Sequence, residues 1–146
     1  MSTILSKLRF SPAFVVLLAV ALAAGSGLAI AGDIEVKLSG DQEVPPVETS
    51  ASGSGTITVE NDRSIKGKIT TSDMKGTAAH IHEGAPGENG GDIITLKKTS
   101  DNEWLIPDNT KLTDLQYDAY QAGKLYVNIH SDAHKGGELR GQLKRR

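Results

Sequence analysis

The sequence predicts an all-β protein, an antiparallel β-sandwich with one short helix before its last two strands. Three observations carry this. Apolar residues recur at every second position in short runs, the signature of strands with one face in a core. The runs are separated by Gly, Pro, Asn and Asp, and fourteen of the sixteen glycines lie beyond residue 31, where tight turns and close sheet packing call for them. Only one segment, near residues 113–123, has helical spacing between a start and a stop signal.

Residues 1–31 read as a secretory signal peptide. Lys7 and Arg9 form its basic start, Phe14 to Leu22 its apolar middle, and Ala29–Ile30–Ala31 the small residues that a signal peptidase accepts. The rival is an uncleaved anchor, since Phe14 to Ala31 is just long enough to span a bilayer. Gly25, Ser26 and Gly27 weaken that rival. Cleavage after Ala31 leaves residues 32–146 as a single domain of ordinary size, working in the periplasm or outside the cell, with no membrane insertion after cleavage.

In that domain Ile34, Val36 and Leu38 alternate with Glu35 and Lys37. Ile57 and Val59 alternate with threonines, and Ile65 and Ile69 flank Gly67. Gln42 to Pro46 is a rigid extended corner, because each proline lacks a donor and stiffens the residue before it. Its functional alternative is a flap over the histidine face described below. Asn89–Gly90 is a hairpin signal, both residues tolerating positive φ. Ile94 and Leu96 follow, and Trp104 is a core residue. In the helix Thr113 and Gln116 form a capping box, Leu115, Ala119 and Ala122 share one face, and Gly123 is the stop. Leu125, Val127 and Ile129 alternate cleanly, and Leu139 and Leu143 close the chain. The total is six or seven strands.

Composition removes several functions. The chain has a formal charge of −2, and Lys7 and Arg9 are the only charged residues of 1–31, so the remainder carries −4. Nucleic-acid binding needs a concentrated basic surface, which is missing. With no cysteine there is no disulfide, thiolate metal site or cysteine nucleophile. No GxSxG elbow and no Gly-Lys-Ser/Thr phosphate loop occurs, and no catalytic residue is assigned.

The four histidines come as two pairs, His80 and His82 in Ala79–His80–Ile81–His82, and His130 and His134 in Ile129 to His134. On a strand, residues two apart project from one face about 7 Å apart at Cα. With Ile81 in the core, His80 and His82 point away from it. With Leu125, Val127 and Ile129 inward, Tyr126, Asn128 and His130 point outward. If the two strands are neighbours, three imidazoles share one face, and His134, in a turn, supplies a fourth nitrogen. An all-nitrogen set suits copper, zinc or nickel and disfavours calcium and magnesium. Affinity ranks a copper ion first, with zinc the alternative. The competing reading is of histidines that are merely solvated. Glu83, Glu88, Asp92, Asp132 and Glu138 flank the pairs, as extra ligands, as acceptors for ring N–H groups, or simply as surface charges. Tyr126 and Asn128 are candidates to support the ligands. Arg140 is expected to pair with Glu43 or Glu138 across strands.

Three stretches carry a family resemblance: Leu38–Ser39–Gly40–Asp41–Gln42–Glu43–Val44–Pro45–Pro46–Val47; Ala79–His80–Ile81–His82–Glu83–Gly84; and Leu125–Tyr126–Val127–Asn128–Ile129–His130 with Gly137–Glu138–Leu139–Arg140–Gly141–Gln142–Leu143. The chain resembles the CHRD domain, named for chordin and found in bacterial exported proteins, from about Ile34 to Leu143. The resemblance implies an immunoglobulin-like or superoxide-dismutase-like sandwich. The family often has proline where Lys135 stands, a change to the turn and not to the ligand set. His80-x-His82 is also similar to the copper strand of copper/zinc superoxide dismutases, but their zinc loop and disulfide are not recognisable here. The expected function is an exported metal-binding domain. The alternatives are a non-catalytic extracellular interaction module and, behind it, a copper-dependent dismutase.

Overall fold

The computed structural model describes residues 32–145; the predicted signal peptide lies outside them. Nine strands form among the described residues: β1 (Gly32–Leu38), β2 (Ser52–Val59), β3 (Ile65–Ser72), β4 (Gly76–Glu83), β5 (Asp92–Thr95), β6 (Lys97–Ser100), β7 (Glu103–Leu105), β8 (Leu125–Ser131) and β9 (Leu139–Gln142). Helix α1 (Asp114–Gln121) precedes the last two strands, as predicted. The strands exceed the predicted number because β5, β6 and β7 are only three or four residues long, too short for alternation to show in each.

Two antiparallel sheets face each other, one ordered β1-β2-β3-β7-β6 and the other β5-β4-β8-β9. The alternating apolar residues meet between them. Ile57, Ile69, Ile81, Leu125, Val127, Ile129 and Leu139 are wholly buried, with Trp104 among them. Burying each such side chain contributes roughly 1.5–3 kcal/mol. Both open sides of the sandwich are joined. On one, the chain crosses from β5 to β6 at Leu96, whose N–H donates to the Ala79 carbonyl at 2.9 Å. On the other, Ser39 and Arg140 exchange both backbone hydrogen bonds at 3.1 Å.

Two local expectations fail. Leu115 does not share a buried helix face with Ala119; it is 79% exposed, and Tyr120 is buried with Ala119 instead. The capping box of Thr113 and Gln116 does form, and Gly123 turns the chain out of the helix at φ 71°. Asn89–Gly90 is not a two-residue hairpin turn, since neither has positive φ and the connection from β4 to β5 runs over residues 84–91. Its one left-handed residue is Gly87. Asn89 is held elsewhere, its side-chain amide donating to the Val44 carbonyl at 2.7 Å. No helix among the described residues is long and apolar enough to cross a membrane.

Candidate metal centre

β4 and β8 lie at the middle of the second sheet, and their register decides what the histidines meet. His80 pairs with Asn128, His82 with Tyr126, and Ala78 with His130. Since Ile81, Val127 and Ile129 fill the core, the period-two rule puts all three histidines on the outer face. One ring nitrogen from each of His80, His82 and His130 lies within 4.8 Å of the others, and all three residues are half-buried. Among the described residues this is the only such convergence of His, Cys, Asp or Glu side chains. It includes no carboxylate, so Asp92, opposite His82 on β5, is not one of the converging groups. His134 lies outside the triad, in the turn after β8, where its N–H donates to Ser131 Oγ and its carbonyl accepts from Gly137.

Hydrogen bonds assign the ring nitrogens. His82 Nδ1 is 3.0 Å from the Gly90 carbonyl and His130 Nδ1 is 2.9 Å from the Lys135 carbonyl. A carbonyl only accepts, so both Nδ1 atoms carry the proton and both Nε2 atoms offer lone pairs. His82 Nε2 is buried without any partner. His80 Nδ1 lies 3.1 Å from His130 Nε2 and donates to it while no ion is present. Burial, above all, holds His80 and His82 below the usual imidazole pKa, with the neighbouring His130 adding to it; the Gly90 carbonyl opposes this at His82, and Asp92 opposes it more weakly at both. Both rings are thereby biased toward the neutral form that a metal requires.

The donor set fits a metal. Imidazole nitrogens bind zinc or copper at about 2.0–2.1 Å, which places them roughly 3–4 Å from one another, close to the spacing present. Two of the three histidines, His82 and His130, donate Nδ1–H to a backbone carbonyl, the arrangement that usually supports a metal-bound histidine.

The outer face around the triad is covered rather than open. Tyr126 and Asn128 are buried. Tyr126 stacks on His82, the rings 4.9 Å apart and inclined by 6°, and its hydroxyl accepts the Gly90 N–H at 3.1 Å. Gly90 is thus tied at both ends, and only glycine fits, because a Cβ there would lie 1.6 Å from the Glu83 carbonyl oxygen. The Gln42–Pro46 corner covers Asn128, with Glu43 buried and accepting from the Asn128 amide. Gln42 accepts from the Gln142 N–H. Arg140 pairs with neither Glu43 nor Glu138. Its guanidinium donates to the carbonyls of Ala85 and Glu88, because the 84–91 loop folds over it. Glu138 accepts instead from Thr49. Gly90 and the Lys135 carbonyl were missed by sequence reasoning, since backbone acceptors leave no residue-type signal.

Glu43 gives a pH-dependent prediction. Burial, outweighing its hydrogen bond from Asn128 and the charges of Arg140 and His134, raises its carboxyl above the ordinary 4.5. The folded protein then holds this proton more tightly than the unfolded chain. This contribution is fullest below pH 4.5 and is lost as pH rises from there through the folded pKa. Glu43→Gln keeps an acceptor for Asn128 and cannot ionise. Its melting temperature is expected to rise relative to the parent between pH 4 and pH 7. A difference that stays flat in thermal melts across that range would contradict the assignment.

Comparison with protein families matches residues 34–143 to the CHRD domain. No curated protein and no solved structure matches the chain.

Proposed function

We propose that this chain, which belongs to the CHRD domain family, is an exported domain that binds one transition-metal ion through His80, His82 and His130. The observation that carries this is the convergence of three imidazole nitrogens on one sheet face, one of them, His82 Nε2, buried and unpartnered. A buried acceptor left without a donor costs on the order of 1–3 kcal/mol, and a metal ion is the partner that its two histidine neighbours also suit. Copper is the first choice and zinc the second, on the affinity order for nitrogen ligands. His134, one turn away, is the candidate for a fourth nitrogen. Export rests on the basic, apolar and small-residue segments of residues 1–31. Storage or delivery of the ion suits a triad with no assigned catalytic partner.

The test is metal content and copper(II) EPR on protein purified without a histidine tag. The expected result is one equivalent of copper with splitting from at least three nitrogens. Absence of stoichiometric metal, with melting unchanged by copper or zinc, would leave a non-catalytic interaction module.

A further inference from the structure

Arg140 is only 1% exposed, yet it forms no ion pair among the described residues. A charge withdrawn from water without a directly bonded counter-ion is costly; Glu43 feels Arg140 only through space, so the direct contacts of the guanidinium show what it is kept for. Nη1 donates to the Glu88 carbonyl and Nη2 to the Ala85 carbonyl, each at 2.9 Å, and Nη2 also reaches Gln142 Oε1 at 3.0 Å. The guanidinium lies 3.6 Å from the centre of the Tyr126 ring. Arg140 therefore holds the loop that carries Gly90. It also holds the ring that stacks on His82 and accepts the Gly90 N–H. Those two groups, the Gly90 carbonyl and the Tyr126 ring, set the orientation of the His82 imidazole. Such charge-assisted forks and cation–π contacts are geometrically specific in a way that a lysine cannot copy.

We infer that Arg140 is a positioning residue for the metal centre, fixing through the 84–91 loop and Tyr126 which nitrogen of His82 faces the ion. The inference rests on the metal-binding reading for its consequence, while its physical core, control of His82, is observable without metal. A purely scaffolding arginine would change stability and leave the His82 proton where it is. A positioning arginine moves it.

The experiment is long-range proton–nitrogen NMR of the histidine rings in the full, metal-free chain, followed by zinc titration and copper(II) EPR. The parent is expected to show His82 protonated at Nδ1. Arg140→Met, which keeps the unbranched bulk and removes the fork, is expected to show both His82 tautomers and about 10–100-fold weaker zinc binding, with one nitrogen lost from the copper spectrum. Arg140→Lys is expected to restore little of this. Folded Arg140 variants with the parent tautomer and parent affinity overturn the proposal. If circular dichroism shows both variants unfolded, Tyr126→Leu takes their place. It removes the ring through which Arg140 reaches His82, and an unchanged His82 tautomer there overturns the proposal equally. Should the parent bind no metal, the metal-binding reading falls, and the tautomer measurement still decides whether Arg140 governs His82.

Discussion

Replacing His80 and His82 together by alanine is expected to abolish stoichiometric binding of copper or zinc. The triad has three nitrogens and no carboxylate among its converging groups, so the double variant leaves only His130 of the triad, with His134 the one further candidate, and two imidazoles that do not converge fail to hold a divalent ion against water. The same loss is readable as stability. An ion that binds only the folded chain stabilises it by about 2.7 kcal/mol when present at a hundred times its Kd. In a domain of this size that raises the melting temperature by about 10 °C. The parent should show this shift on adding zinc, and the double variant should show none. A double variant that keeps the shift would place the ion elsewhere, on groups outside the triad.

Trp104→Ala is expected to cost about 3–5 kcal/mol, a large share of the roughly 5–15 kcal/mol that holds a domain together. Trp104 is 1% exposed on β7, pairs with Ile69 across the first sheet, and lies so close to Gly76 of the second sheet that a Cβ there would be 2.5 Å from the indole. It therefore ties both sheets. Trp104→Phe should be milder than the change in volume implies, because the indole N–H is already buried without an acceptor and phenylalanine removes that unmet donor. Urea denaturation of the two variants checks both statements. A cost for alanine below about 1 kcal/mol would mean that the two sheets are held together without this residue.

The core and the strand faces were legible because alternation is a local property. Ile34, Val36 and Leu38, or Leu125, Val127 and Ile129, declare their inward side within one strand, and all six are buried. The same parity told which way His80, His82 and His130 point. Local patterning failed at Leu115, where the helical spacing suggested a buried face and the rest of α1 buries Ala119 and Tyr120 instead. It also failed at Asn89–Gly90, because the preference of this dipeptide for a tight turn yields to the long-range hold of Val44 on Asn89 and of Tyr126 and His82 on Gly90.

By itself, then, the sequence determined the sandwich, the single capped helix, the family, and two histidine-bearing strands with their imidazoles outward. Those follow from period-two patterning and from motifs a few residues long. The tertiary structure alone decided that β4 lies against β8 in a register that brings His80 Nδ1 to His130 Nε2 across fifty residues of chain. It alone decided that the carbonyls of Gly90 and Lys135 fix the protons on the other nitrogens, and that Arg140 serves a loop rather than a carboxylate. The reason is physical: register and loop closure are set by contacts between distant segments competing for the same hydrogen-bonding groups, and no single segment carries that information.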